Sequence, residues 1–259
     1  MDERDTRLSR VGGVTTDERG LAGAWRRHQR HDYPDPAPDL APFIARHWHV
    51  SWDYATPYHQ LIVPLPNVHL TFGSGGARIS GVARGHWTKV LAGRGEVRGV
   101  AFRPGAFRAF LGASVSTITG RVLPAEEVFG PLSPPTSTAE LEELLRSRSP
   151  VLDRGALDAV RAVGLIESSP GLTRVDAVAR ELGVGVRSLQ RLFAEHVGVG
   201  PKWVVRRYRL REATDRLAEG GRIAWADLAA ELGYADQGHL TRDFTEVFGE
   251  PPTTYARRY

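Results

Sequence analysis

The sequence predicts a multidomain protein: a mainly-β domain, folded as a barrel or a sandwich, followed by an all-α domain with a repeated helix-turn-helix. Three observations support this prediction. The chain has 259 residues, enough for about 1.7 domains of average size. Short apolar runs broken by glycine and proline give way to helical spacing after a proline-rich segment. One pattern near the C-terminus occurs twice.

Composition excludes several classes of protein. Hydrophobic residues make up 41% of the chain and charged residues 25%, which is typical of a globular protein rather than a disordered or fibrous one. There is no cysteine, so disulfides, thiolate metal sites and cysteine nucleophiles are excluded. The start is charged from its second residue and no apolar segment follows it. We therefore expect neither a secretory signal nor a membrane span, and a cytoplasmic protein.

The basic side chains are almost all arginine. The net charge is +4, and Lys89 and Lys202 are the only lysines among 34 basic residues. Arginine binds phosphate and guanine through a planar, two-pronged group. A genome whose codons favour arginine, alanine and glycine would give the same bias, so composition leaves both interpretations open.

Local composition divides the chain into four segments: a flexible arm at 1–32, a β-rich domain at 33–130, a proline-rich linker with connector helices at 131–170, and a helical domain at 171–259. In the β-rich domain, strands are predicted at 44–52, 60–65, 68–72, 77–82 and 97–102. The glycines of 73–76 indicate a hairpin turn rather than a phosphate loop. Ser137 and Asp153 are predicted to cap the connector helices.

Six small or apolar residues recur in the same order, 50 or 51 positions further along the helical domain. They are Ala179, Gly183, Leu189, Phe193, Gly198 and Pro201, which return as Ala229, Gly233, Leu240, Phe244, Gly249 and Pro252. A small residue lets two helices cross closely, and a glycine supplies the turn between them. Each copy therefore predicts a helix-turn-helix, with a helix at 202–213 joining the two.

The second helix of each unit is predicted to present a polar face opposite its buried stripe. These faces carry Arg187, Ser188, Gln190, Arg191 and Glu195 in the first unit, and Gln237, His239, Arg242 and Asp243 in the second. Arginine pairs with guanine and glutamine with adenine in the major groove of DNA. A helical repeat used for protein contacts is the alternative, and it would show no salt-dependent affinity for duplex DNA.

Residues 172–257 resemble the DNA-binding domain of AraC/XylS-type transcription regulators. The likeness lies in Leu189-Gln-Arg-Leu-Phe193, Gly198-Val-Gly-Pro201, Leu228-Ala-Ala-Glu-Leu-Gly-Tyr234, Asp236-Gln-Gly-His-Leu-Thr-Arg-Asp-Phe244 and Gly249-Glu-Pro-Pro252. The resemblance implies seven helices, of which the third and sixth enter successive major-groove segments. It implies base contacts by Arg187, Gln190, Arg191, Gln237, His239 and Arg242. Gly238 is small where the family often has a longer polar side chain. Candidate phosphate contacts are Ser188, Lys202, Arg206 and Thr241.

The β-rich domain resembles the cupin-like sensor module that is fused to some members of that family. The likeness lies in 65–72, 99–107 and 128–130, and the candidate effector pocket comprises Trp48, His69, Trp87 and Arg103. The resemblance implies a sequence-specific transcription regulator in the cytoplasm, associated with the nucleoid. Candidate partners are double-stranded DNA, a small-molecule effector, RNA polymerase and a second copy in a homodimer. We expect no cofactor and no membrane partner.

The other alternative is that the β-rich domain is an enzyme. His47 and His49 share one strand face, and with Asp53 and His59 they would suit a metal-dependent cupin-like enzyme. The simpler interpretation is that Ile44, Trp48 and Val50 face the core while the histidines face solvent. A nucleophile elbow and a zinc-binding His-Glu-x-x-His helix are both absent from the sequence. We therefore expect no enzyme, no catalytic residue and no metal.

Overall fold

The computed structural model describes residues 28–218 and 224–256. The predicted arm lies mostly outside the described residues, but its last four residues form the first strand. The strands are β1 (Gln29–Asp32), β2 (Ile44–Ile62), β3 (His69–Gly73), β4 (Gly76–Ser80), β5 (Trp87–Phe102) and β6 (Val122–Pro124). The helices are α1 (Arg108–Leu111), α2 (Glu126–Phe129), α3 (Thr138–Arg146), α4 (Arg154–Ser168), α5 (Val175–Glu181), α6 (Val186–His196), α7 (Pro201–Ala218), α8 (Trp225–Glu231), α9 (Gln237–Phe248) and α10 (Pro252–Ala256), with a 3₁₀ helix at Val115–Ile118. The mainly-β and all-α assignments are thus confirmed.

The described strands form one antiparallel sheet in the order β1-β2-β5-β3-β4-β6. Strands β2 and β5 pair along nearly their whole length, from Ile44 opposite Phe102 to Ile62 opposite Trp87. The predicted strand 44–52 and the first three residues of the predicted strand 60–65 are therefore parts of one long strand, and 63–65 lie outside it. The predicted hairpin turn joins β3 to β4, and Gly76 there adopts a φ of 86°, which favours glycine.

The connector helices begin where the sequence predicts. The side chain of Ser137 accepts a hydrogen bond from the backbone N–H of Glu140, and that of Asp153 accepts one from Ala156. Each cap satisfies a backbone donor that the first turn of a helix leaves free. Helix α4 buries a stripe of small residues, including Ala159 and Ala162, which brings its backbone close to neighbouring elements.

One hydrophobic core joins the sheet to the first helix-turn-helix unit. It runs from Leu70, Val100 and Phe102 in the sheet, through α3 and α4, to Phe193 in α6 and Val204 in α7. Phe102 is fully buried, and its ring centre lies 4.7 Å from that of Phe107. Burying a side chain of this size contributes roughly 1.5–3 kcal/mol. Burial of apolar side chains therefore holds the first unit to the β domain.

A second, smaller core forms the other helix-turn-helix unit. It contains apolar residues of α7, α8, α9 and α10, with Phe244 and Tyr255 among those fully buried. Val63, from the segment between β2 and β3, belongs to the same cluster. The β domain therefore contributes side chains to both cores. Among the described residues, no helix has the length and apolar character that crossing a membrane requires.

The orientation predicted for β2 is wrong for His47, Trp48 and Val50. His47 is only 2% exposed, and its Nε2 lies 3.1 Å from Oε1 of Glu142 in α3. Trp48 and Val50 are half-buried on the opposite face, where the Trp48 ring lies against Gly99. The cause is an irregularity in register between Ile44 and Arg46, since an extra residue in a strand reverses which face the following side chains occupy.

Replacing the turn glycine with alanine should destabilise the second unit more than the first. Gly183 and Gly233 both have a φ near 70°, which costs an alanine about 1–2 kcal/mol. A Cβ on Gly183 would meet open space, whereas one on Gly233 would lie 2.6 Å from Cγ2 of Thr173. Such crowding costs about 1–3 kcal/mol more. Urea unfolding of Gly183→Ala and Gly233→Ala measures the difference, and equal losses would contradict this account.

Stability should fall as the pH drops through the range in which unfolded histidine titrates. Burial lowers the pKa of His47 below its ordinary value of 6.5, although Glu142 opposes this shift, and burial also lowers the pKa of His196. The unfolded chain therefore takes up protons first, and stability present above pH 6.5 is lost below it, by at most about 1.4 kcal/mol per pH unit for each histidine.

Urea midpoints at about pH 7.5 and about pH 5.5 test this linkage. His47→Gln should reduce the difference between the two midpoints. His59→Gln, at an exposed position on the same strand, serves as the matched control and should leave the difference unchanged. An unchanged difference in His47→Gln would contradict the assignment.

Candidate nucleic-acid interface

Two helix-turn-helix units lie in the C-terminal part of the chain, one formed by α5 and α6 and the other by α8 and α9. Their turns have the same backbone geometry. Val184 donates its N–H to the carbonyl of Ala179 over 2.9 Å, and Tyr234 donates to Ala229 over 2.8 Å. Among the described helices, α4 to α10 number seven, with α6 third and α9 sixth. The predicted repeat is confirmed, but the implied count of seven helices is reached only by including α4, which lies before the predicted domain at 171–259.

Helix α6 exposes the side chains predicted to contact bases. Leu189 and Phe193 are fully buried beneath it. Arg187, Gln190 and Arg191 are exposed and line a shallow groove on the outer face. Within the described part of the chain, neither arginine forms an ion pair or a hydrogen bond. Both cations are therefore available to an external anion.

Helix α9 presents the corresponding face of the second unit. Gln237 and Arg242 are exposed, His239 is half-buried, and Leu240 and Phe244 pack beneath them. The helix begins with a cap that α6 lacks, because the side chain of Asp236 accepts a hydrogen bond from the N–H of His239 over 2.6 Å. A Cβ on Gly238 would lie 3.4 Å from Nη1 of Arg242, so the arginine covers the space that this glycine leaves.

The four candidate phosphate contacts differ in their surroundings. Ser188 and Lys202 are exposed, and Thr241 is half-buried. Arg206 lies 3.0 Å from Asp243 and 2.6 Å from Glu246, both on α9. The hydrogen bond to Glu246 raises the pKa of Arg206 and lowers that of Glu246. Arg206 thus braces α7 against α9, a structural role that the sequence prediction missed.

Two further arginines of α7 support the second unit, and sequence reasoning missed both. Arg207 is buried, donates a hydrogen bond to the carbonyl of Pro64 and lies over the ring of Phe248. Arg209 donates to the carbonyl of Leu232 over 2.6 Å, just before the turn glycine of the second unit. The partners of these arginines lie far away in sequence, so no local pattern points to them.

The β domain contacts the C-terminal end of α6 directly. The hydroxyl of Ser114 donates to the carbonyl of Ala194 over 3.1 Å, and that of Thr119 donates to Gly198 over 2.6 Å. Arg108 donates to the carboxylate of Glu195 over 2.7 Å, and this contact lowers the pKa of Glu195. These contacts hold the C-terminal end of α6 and leave its outer face open.

The four candidate effector-pocket residues do not form one cluster. Trp48 and His69 lie together, with their rings edge to face 6.2 Å apart. Trp87 is 44% exposed at the far end of β5, opposite Ile62. Arg103 follows β5 and donates to the carbonyl of Ala41. Only the Trp48 and His69 pair therefore offers a shared surface.

Three of the candidate metal ligands of β2 contact other side chains instead of facing one another. His47 contacts Glu142, while His49 lies 3.1 Å from Glu96. The exposed Asp53 pairs with Arg94. In the described ranges 28–218 and 224–256, no group of three or more histidine, aspartate or glutamate side chains is placed to hold a metal ion.

Two segments of the chain match known domain families. Residues 33–124 match a domain of unknown function (DUF6597), and residues 178–258 match a helix-turn-helix domain. The chain is 35% identical over 82 residues to the HTH-type transcriptional regulator GlxA of Rhizobium meliloti (strain 1021), covering 32% of this chain and 25% of that protein. It is 28% identical over 80 residues to the virulence regulon transcriptional activator VirF of Yersinia enterocolitica, covering 31% and 29%. The chain thus spans a quarter to a third of the length of these relatives.

Two solved structures show a limited likeness to the chain. The C-terminal domain of AraT from Geobacillus stearothermophilus is 21% identical, covers 41% of this chain and 89% of that one, and has a TM-score of 0.38. ToxT from Vibrio cholerae O395 is 12% identical, covers 90% and 98%, and has a TM-score of 0.41.

The family match, the sequence relatives and the paired turn geometry agree. Residues 178–258 form a helix-turn-helix domain of the AraC/XylS type, joined in this chain to a domain of the DUF6597 family.

Proposed function

We propose that the chain is a sequence-specific transcription regulator that reads two successive major-groove segments of double-stranded DNA. Helices α6 and α9 are the two readers. The observation that carries this proposal is that two units of equal turn geometry each expose arginine and glutamine opposite a buried stripe. These side chains match the hydrogen-bonding edges of guanine and adenine.

The β domain is proposed to control the two readers. It contacts the first unit through Ser114, Thr119 and Arg108, and the second through Val63 and Pro64. A small-molecule effector bound there would act if it favoured one arrangement of these contacts over another, because a ligand shifts an equilibrium only through differential affinity. The half-buried pair of Trp48 and His69 is the candidate place for it.

Further partners follow from the same proposal. The relatives are named as a transcriptional regulator and a transcriptional activator, so we propose contact with RNA polymerase at a promoter, in the cytoplasm at the nucleoid. We also propose a homodimer and no catalytic step. Light scattering at rising protein concentration distinguishes the homodimer from a monomer.

Selection of random duplex DNA by the full chain at physiological salt tests the proposed function. The full chain is used because α5 and α6 share a core with the β domain. We expect enrichment of two short motifs about 10 base pairs apart, the spacing of one helical turn. Affinity should fall steeply with salt. Absence of any enriched motif would contradict sequence-specific reading, and absence of binding would favour a protein-interaction role.

Arginine substitutions on the readers should relax specificity locally. Arg191→Ala and Arg242→Ala should each cost roughly 1–3 kcal/mol of binding and weaken selection at one base pair. Arg78→Ala removes the same charge from an exposed position on β4 and should leave the selected motif unchanged. Binding to variant operators by fluorescence anisotropy provides the measurement. A uniform loss on all sequences would show that the readers contact phosphate instead.

A further inference from the structure

The two helix-turn-helix units differ at one position of the turn. Val184 follows the turn glycine of the first unit and is 42% exposed, whereas Tyr234 follows that of the second and is 5% exposed. Their backbones make equivalent hydrogen bonds, to Ala179 and Ala229. The difference therefore lies in the side chain, and the second unit places a buried aromatic ring beside the start of its reading helix.

The ring of Tyr234 is held on one side by helix α7. The guanidinium carbon of Arg209 lies 3.8 Å from the ring centre. The same guanidinium donates to the carbonyl of Leu232 through its Nε. A cation over the face of an aromatic ring is attracted by the ring electrons, so Arg209 fixes both the turn and the ring. Burial raises the pKa of Tyr234 well above its ordinary value, which keeps the phenol neutral.

The ring of the same tyrosine packs against a side chain of the outer face of α9. The imidazole of His239 lies 5.1 Å from the Tyr234 ring centre, at an interplanar angle of 86°. Perpendicular packing of this kind is a favoured geometry for aromatic pairs. The backbone of His239 is fixed as well, because its N–H donates to Asp236. Both the main chain and the ring of His239 are therefore held in place before any ligand binds.

We propose that Tyr234, backed by Arg209, is a positioning residue that sets the orientation in which His239 meets a base. This inference rests on the proposed function and adds a specificity role for residues that do not touch DNA. A histidine offers a donor on one ring nitrogen and an acceptor on the other, so its rotation decides which nitrogen faces the groove. The first unit has Ser188 at the equivalent position and an exposed valine in place of the tyrosine, so its readers lack this arrangement.

A double-mutant cycle in the full chain tests the proposal. The variants are Tyr234→Leu, which removes the ring, Tyr234→Phe, which keeps it, His239→Ala, and the double variant Tyr234→Leu with His239→Ala. Each is used to measure affinity for the selected operator and for operators changed at single base pairs. The half-site bound by α6 is an internal control, because no substitution touches that helix.

Tyr234→Leu should lower the preference at the base pair assigned to His239 by roughly fivefold or more, and His239→Ala should do the same. The double variant should show no further loss, and Tyr234→Phe should retain the preference. Arg209→Met, which removes the guanidinium but leaves the tyrosine, should reduce the same preference to a smaller degree. It provides the same test if Tyr234→Leu does not fold.

Other outcomes would overturn the inference. If Tyr234→Leu or Arg209→Met weakens binding equally on every operator, the tyrosine is only part of the core. Additive losses in the double variant would likewise show that the two residues act independently. Failure of the unmodified chain to select any sequence would instead refute the proposed function itself, and a selected motif with no preference assigned to His239 would refute the positioning role alone.

Discussion

Helix α7 is the rigid element on which the arrangement of the two readers depends. Its first half contributes Val204 and Val205 to the core shared with the β domain, and its second half contributes Leu210, Ala213 and Leu217 to the core of the second unit. Eighteen residues of helix span about 27 Å. Because protein interiors are close-packed, neither unit can rotate about α7 without breaking the packing of its own core. The separation and relative orientation of α6 and α9 therefore follow from this helix.

The helical half of the fold could be predicted more closely than the β half. Helix α6 lies where the first copy of the repeat predicts a helix, because an apolar stripe with a period of 3.6 is a strong signal and a turn glycine precedes it. The outer parts of β2 and β5 form a two-stranded ribbon whose exposed side chains alternate weakly. Strands β1 and β6 have four and three residues, too few to establish a period. The reversed orientation of His47 arises from an irregularity in register. The alternation of side chains in the sequence does not predict that irregularity.

The candidate site could likewise be predicted only in part. Exposure of Arg187, Gln190 and Arg191 follows from helical periodicity, since the positions opposite a buried stripe must face outward. The support of α9 by Arg206, Arg207 and Arg209 depends on partners brought together by folding, such as Glu246, 40 residues away from Arg206. Such pairings depend on tertiary geometry. Sequence reasoning accordingly identifies the surface that is free to bind and misses the contacts that hold it in place.

The distribution of ion pairs also resolves an apparent weakness of the DNA-binding assignment, namely that acidic residues nearly balance basic ones in the helical domain. The arginines of α7 are occupied within the protein: Arg206, Arg211 and Arg216 pair with carboxylates, while Arg207 and Arg209 bind carbonyls and aromatic rings. Among the described residues, the arginines of the reading faces have no carboxylate within ion-pair distance. Among the described residues of the helical domain, Arg187, Arg191 and Arg242 on the faces of α6 and α9 therefore keep their charge unpaired, as do Arg180 and Lys202. A small net charge of the helical domain therefore does not argue against DNA binding, because the field at a surface depends on where charges lie as well as on their sum.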